Sequence, residues 1–246
     1  MTKTLILIPS RMAATRLPGK PLLKINNLSI ISHVFKKAKE TNIGDVIVAT
    51  ENEEILSDVI ENKGKGILTS SEHNTGTDRI FEAFKKLKIE NVDYILNLQG
   101  DEPNINKEDI IKLNDFMINS ETEIGTLASV IKDNMMLENK NVVKVITKND
   151  LSKNSFSSAV NFTRDNLSKN YKNIYHHIGI YIYKVSALEK FVKLKQTKNE
   201  IENKLEQLRA LDSGMKINVV LVKSSPIGVD TKEDYLALKK IMEYKS

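Results

Sequence analysis

The sequence predicts an α/β protein built on a mainly parallel, helix-covered sheet, and three observations carry that prediction. Short apolar runs alternate with stretches of helical period through the first half of the chain, the β-α-β-α order of parallel strands joined by crossover helices. The first run, Leu5-Ile6-Leu7-Ile8, is apolar throughout, as suits a strand buried on both faces. Charged, turn-rich motifs follow strand ends directly, where the ligands of open α/β sheets gather.

Taken in order, the strand 5–8 leads to a helix over 30–39, a strand over 46–50 and a helix over 53–61. A short strand at 66–69 runs through a polar loop to a helix over 78–87, where Ile80, Phe81, Phe84 and Leu87 share a face. The next buried strand is 94–98, and Ile110, Leu113 and Met117 recur at helical spacing within a helix over 107–118. The second half is less regular. Strands are expected at 125–130, 142–147, 155–160 and 178–183, with a turn at Lys148-Asn149-Asp150. Helices over 185–194 and 201–211 precede a last strand, 217–222, and a terminal helix from Lys232. The polar stretch 165–172 reads as a mobile loop. No repeat or interdomain linker interrupts the chain, so residues 1–246 are expected to form one domain, with or without an inserted lobe.

Composition narrows the chemistry. With 40% apolar and 28% charged residues the chain is ordinary globular protein, and no apolar run approaches the length of a membrane span. Residues 1–15 lack the features of a secretory signal, which points to the cytoplasm. The absence of cysteine excludes disulfides, thiolate zinc sites and a cysteine nucleophile. Only four histidines are present, with His176 and His177 adjacent, so no H-E-x-x-H zinc motif exists. A net charge of +5 suits anionic ligands. The lysines are dispersed over helical stretches without an RNA-binding signature, so no nucleic-acid partner is expected.

Residues 8–21 read Ile-Pro-Ser-Arg-Met-Ala-Ala-Thr-Arg-Leu-Pro-Gly-Lys-Pro, which puts Arg11, Arg16 and Lys20 in the loop after the first strand. Three cations at that place suit a polyphosphate, met by guanidinium forks and an ammonium. The loop is not a Walker motif, since Pro21 follows Lys20 where a hydroxyl residue is required. The run resembles the signature of sugar nucleotidyltransferases, whose arginines and lysine embrace a nucleoside triphosphate.

Asn97-Leu98-Gln99-Gly100-Asp101-Glu102-Pro103 follows the strand 94–98. Paired carboxylates there suit a hard ion such as Mg²⁺, with Asp101 the better ligand. The competing reading is a turn whose acid caps the helix near Lys107. In Gly228-Val229-Asp230-Thr231, Asp230 or Thr231 serves as a helix N-cap as readily as a metal ligand, with Asp234 placed for a capping box. Read alone, His177 suits a structural hydrogen bond, and Glu206 and Gln207 suit solvated helix positions. Arg79 either orients a nucleotide or pairs with Asp78 or Glu82.

Together, the segments at 9–22, 75–79 (T-G-T-D-R), 97–103, 177–181 (H-I-G-I-Y), 205–209 (L-E-Q-L-R) and 228–231 resemble the 3-deoxy-manno-octulosonate cytidylyltransferase family, the CMP-Kdo synthetases of lipopolysaccharide assembly. The resemblance runs from about residue 4 to about residue 240. It implies a Rossmann-like nucleotide-diphospho-sugar transferase fold with a smaller lobe, here about 150–215, that often mediates homodimers. It also implies a Mg²⁺-dependent reaction of CTP with Kdo to give CMP-Kdo and pyrophosphate. By matching position, Arg11, Arg16 and Lys20 hold the CTP phosphates, with Arg79 beside the nucleotide. Gln99 and Gly100 lie at the sugar and nucleotide, Asp101 and Asp230 hold the metal, and Lys20 and Arg11 share the catalytic charge with those two carboxylates. His177, Tyr181, Glu206 and Gln207 line the sugar pocket.

One departure concerns the sugar. Members of the family commonly carry Phe-Ser-Arg and then Ile-Pro where this chain has Phe156-Ser157-Ser158 and no proline. Arg164, six residues on, is expected to take over the missing arginine's role. The alternatives are a related acid such as 8-amino-Kdo or a sialic acid, or a nucleotide-binding protein without turnover.

Overall fold

The computed structural model describes residues 3–13, 16–154, 156–166 and 172–244. Ala14 and Thr15 of the cationic loop, Ser155 of the expected strand and residues 167–171 of the expected mobile loop lie outside the described residues. The chain divides into two compact units, residues 1–111 with 226–246, and residues 112–225. The 150–215 stretch read as a lobe falls inside the second.

The first unit carries β1 (Thr4–Ser10), a hairpin of β2 (Lys24–Ile25) and β3 (Leu28–Ser29), α1 (Ile30–Lys39), β4 (Gly44–Thr50), α2 (Glu53–Glu61), β5 (Gly66–Leu68), α3 (Gly76–Leu87) and β6 (Tyr94–Asn97). Its strands run β5-β4-β1-β6, and every adjacent pair is parallel. Leu5, Ile6, Leu7 and Ile8 are wholly buried in the central strand, which is why that run shows no alternation. Side chains fix the helix starts: Ser29 caps α1 by accepting from the Ser32 amide, and Thr75 caps α3 by accepting from the Asp78 amide. The buried seam of α3 is Thr77, Ile80 and Ala83, whereas Phe81 and Phe84 are half-exposed under Lys85. The hairpin escaped the sequence reading, although Asn26 and Asn27, at φ 47° and 62°, are residues that tolerate such a turn.

Helix α4 (Lys107–Ile118) contains the boundary between units. The second unit continues with β7 (Ile124–Ser129), α5 (Asn134–Glu138), β8 (Lys144–Thr147), α6 (Leu151–Asn154), β9 (Phe156–Thr163), β10 (Ile174–Lys184), α7 (Val185–Phe191), α8 (Lys198–Asn203), α9 (Leu208–Asp212) and β11 (Ile217–Val222). Among the described residues of this unit, β7 and β11 pair in parallel and the other pairs, β10 with β7, β10 with β8, β11 with β9 and β8 with β9, are antiparallel. The mainly parallel description therefore belongs to the first unit. The order is β10-β7-β11-β9-β8, and β8 also pairs with β10, so the pairing circuit closes on itself. The single helix expected over 201–211 is two short ones, because Lys204 takes the left-handed conformation (φ 53°) that ends α8.

The chain then re-enters the first unit as α10 (Lys232–Glu243). Val229 and Leu238 are buried there with Ile25 and Ile30, so the carboxyl-terminal segment is fastened by apolar packing. No helix among the described residues is long and apolar enough to cross a membrane.

Candidate active site

The carboxyl ends of β1 and β6 open into a cavity of about 340 Å³ in the first unit. Arg11, Arg16, Lys20, Arg79, Gln99, Gly100, Asp101 and Asp230 all line it, so the structure gathers eight of the expected site residues. Ser10, His73, Thr75 and Gly76 line it as well. Those four lay in or beside the quoted motifs, and the signal that could have found them was adjacency to a cation or to a helix start.

Backbone geometry sets each charged group in place. Gly19 adopts φ 71°, and Pro21 opens a 3₁₀ turn over Lys20–Leu22, which fixes the root of the Lys20 side chain. Gly100 passes so close to β1 that an added Cβ would meet the Pro9 carbonyl oxygen at 2.9 Å and Ile31 Cδ1 at 3.2 Å. Only glycine lets the turn bearing Asp101 sit against that strand.

Lys20 Nζ lies 2.7 Å from Asp101 Oδ2 and 3.4 Å from Asp230 Oδ1, and Arg16 Nη2 lies 3.0 Å from Asp230 Oδ2. Neither aspartate is used as a cap. Thr231 is the N-cap of α10 and Asp234 closes its capping box, while Asn106 Oδ1 accepts from the Glu108 amide at the start of α4. Glu102 is half-buried as a residue, yet its Oε2 is sealed from solvent without a hydrogen-bond partner. Burial, then the charges of Asp101 and Asp230, push its carboxyl up to about 8 against the opposing pull of Lys20.

Arg79 pairs with neither acid of its own helix. Its guanidinium is buried, forms an ion pair with Glu51 and donates to Thr69 Oγ1 at 2.7 Å and the Ser70 carbonyl at 3.1 Å. It thereby ties α3 to the segments after β4 and β5. His73 pairs in turn with Glu82, which also accepts from the Ser70 amide at 2.9 Å.

The other expected residues belong to the second unit. His177 and Tyr181 flank a bulge in β10 between Ile178 and Tyr181. Thr126 Oγ1 fills that bulge, 3.0 Å from His177 Nε2 and 2.8 Å from the Ile180 carbonyl, with Phe162 edge-on to the imidazole. Burial first, then the neighbouring His176, lowers the His177 pKa to about 3, so the ring is neutral. Burial raises the Tyr181 hydroxyl well above its usual range. Glu206 and Gln207 lie between α8 and α9, half-buried rather than on an open helix face. Arg209 anchors them through a bidentate pair with buried Glu200 (2.8 and 2.5 Å) and a seat over Phe191 at 4.9 Å. Ser158 donates to Asn218 Oδ1 at 2.9 Å, and Arg164 Nη1 donates to the Asn141 carbonyl at 3.1 Å and the Lys140 carbonyl at 3.4 Å. Beneath it, fully buried Lys144 donates to the Asn139 carbonyl at 2.8 Å and the Arg164 carbonyl at 3.3 Å.

A parallel sheet whose carboxyl edge carries cations and carboxylates around one cavity defines a phosphate-handling α/β enzyme. The chain belongs to the cytidylyltransferase family, whose model matches residues 5–217. It is 44% identical over 240 residues to a 3-deoxy-manno-octulosonate cytidylyltransferase of Afipia carboxidovorans, covering 97% of this chain and 96% of that one. A protein of the same description from Bartonella tribocorum is 44% identical over 239 residues, covering 97% and 98%. A solved CMP:2-keto-3-deoxy-manno-octonic acid synthetase complexed with CTP superimposes with a TM-score of 0.90 at 31% identity, covering all of both chains.

Proposed function

We propose that the protein is a 3-deoxy-manno-octulosonate cytidylyltransferase, joining CTP and Kdo to give CMP-Kdo and pyrophosphate. The observation that carries this reading is the convergence of Asp101 and Asp230 on Lys20 inside a cavity lined by Arg11 and Arg16. Relatives of that description, alike over the full length, favour it over a sialic-acid enzyme or a binding protein without turnover.

Mg²⁺ fits the donors present. The two carboxylates already share one cation, and the described residues offer no cluster of three or more metal-ligating side chains. That pattern suits an ion held by one or two carboxylates and completed by phosphate oxygens and water. Bound by Asp101 and Asp230, Mg²⁺ would supply charge to the α-phosphate and lower the pKa of the attacking hydroxyl.

Arg11, Arg16 and Lys20 bind the triphosphate and meet the charge that grows on its oxygens during in-line displacement. The anomeric hydroxyl oxygen bonds to the α-phosphorus, the bond to the bridging oxygen breaks, pyrophosphate leaves and the proton passes to solvent. Arg79, Gln99 and Gly100 position the nucleotide, and Gln99 also faces the sugar. His177, Tyr181, Glu206 and Gln207, in the second unit, are assigned to sugar binding by their positions in the family's motifs, and Arg164 by its place six residues after Ser158. Neutral His177 acts there as a hydrogen-bonding group. A homodimer in the cytoplasm belongs to the same proposal.

Pyrophosphate release measured with CTP and a panel of 2-keto-3-deoxy sugar acids tests it, with activity expected to vanish on chelation and return with Mg²⁺. Release with another sugar acid but not with Kdo would reassign the substrate.

A further inference from the structure

We infer that Lys20 is an internal counterion for Asp101 and Asp230, so that the site takes its divalent ion together with the triphosphate and holds the free ion poorly. This rests on the assignment of those two carboxylates as metal ligands.

The geometry sets up a competition. One ammonium lies 2.7 Å from Asp101 Oδ2 and 3.4 Å from Asp230 Oδ1, and a guanidinium lies 3.0 Å from the other oxygen of Asp230. Three of the four carboxylate oxygens are therefore engaged by the protein's own cations. The Lys20 side chain is 14% exposed and that of Asp101 31%, against 56% for Arg16 and 50% for Asp230. The Lys20–Asp101 contact is thus the least screened link, and the one a metal must break.

A divalent ion arriving alone would enter a cavity where Arg11, Arg16 and Lys20 already outnumber the two aspartates. It would also have to drive an ammonium from the oxygens it needs. A triphosphate reverses both terms, since its negative charges draw Lys20 and Arg16 away and leave the carboxylates free. The turn at Lys20–Leu22 holds the root of the chain while the ammonium exchanges one anion for the other. Each ligand strengthens the binding of the other, and by linkage the effect is reciprocal. Lys20 is accordingly a positioning residue for the carboxylates before nucleotide arrives, and a phosphate ligand afterwards.

The test is binding of Mn²⁺ without nucleotide, followed by paramagnetic resonance of the free ion. Lys20→Met should bind Mn²⁺ about 10-fold more tightly than wild type, within the usual range of such couplings. Adding Asp101→Asn to that variant should cancel the gain. Lys20→Gln, polar but uncharged, should match Lys20→Met, and it carries the test if the methionine variant does not fold. Folded variants that bind Mn²⁺ no more tightly than wild type overturn the inference. If Asp101→Asn and Asp230→Asn instead bind Mn²⁺ with CTP as well as wild type does, the ligand assignment itself fails and the inference falls with it.

Discussion

The Val229 amide donates to the Asp101 carbonyl at 3.0 Å, joining the turns that bear the two carboxylates main chain to main chain. The Ile227 amide adds a second tie, to Asn104 Oδ1 at 3.1 Å. The spacing of Asp101 and Asp230 is therefore set by backbone, and side-chain changes at either position should alter chemistry without moving the loop.

That separation makes Asp230 and its neighbour opposite controls. Asp230→Asn should abolish pyrophosphate release while leaving stability close to wild type, because Thr231 and Asp234 cap α10 without it. Thr231→Ala should cost about 1 kcal/mol of stability and retain most activity. An active Asp230→Asn enzyme in a release assay would remove Asp230 from the metal site.

Glu51 balances buried Arg79. Glu51→Gln should destabilise the protein by about 3 kcal/mol, since the guanidinium keeps its burial and loses its counter-charge. Urea denaturation reads the effect, and a change below roughly 1 kcal/mol, the scale of an exposed pair, would mean that solvent screens the two groups.

His177 should leave a signature in acid. Its folded pKa, about 3, lies below the ordinary 6.5, so its contribution is present above 6.5 and lost as pH falls towards 3. The loss should reach about 2 kcal/mol by pH 5. His177→Gln removes that proton uptake, so its stability curve should fall less steeply than wild type from pH 7 to 5. Parallel curves would place a charged imidazole in the fold.

Arg164→Ala should raise the KM for Kdo about 10-fold and leave that for CTP unchanged, as expected for one lost charge-assisted contact. Its carbonyl partners at Lys140 and Asn141 are exposed, so the guanidinium can exchange them for a carboxylate. An unchanged KM for Kdo, with each substrate varied separately, would leave Arg164 as a clasp on the 140–141 loop.

The first unit was legible because its strands and helices obey local rules. The apolar run at 5–8 and the helices at 30–39, 53–61 and 107–118 all fall where periodicity puts them. The cationic loop and Asp101 were legible for a related reason, since the end of a parallel strand is itself a sequence position. The second unit hid its pairing because antiparallel partners such as Asn218 and Ser158 lie 60 residues apart. For Arg79 the local alternative, a pair with Asp78 or Glu82, looked only along its own helix, whereas its partner Glu51 lies 28 residues away. Which of two neighbours caps α10 needed coordinates, because Thr231 and Asp230 offer the same capping chemistry one residue apart and only the geometry shows that Thr231 does it.

The return of the chain to the first unit has a consequence for synthesis. Lys20 and Asp101 are made long before Asp230, which arrives only with the segment that packs Val229 and Leu238 against Ile25 and Ile30. A growing chain that has made its last strand, which ends at Val222, still lacks one of the two carboxylates that meet Lys20. A product that stops short of residue 226 therefore lacks two things at once, the second carboxylate beside Lys20 and the apolar packing of Val229 and Leu238 on Ile25 and Ile30.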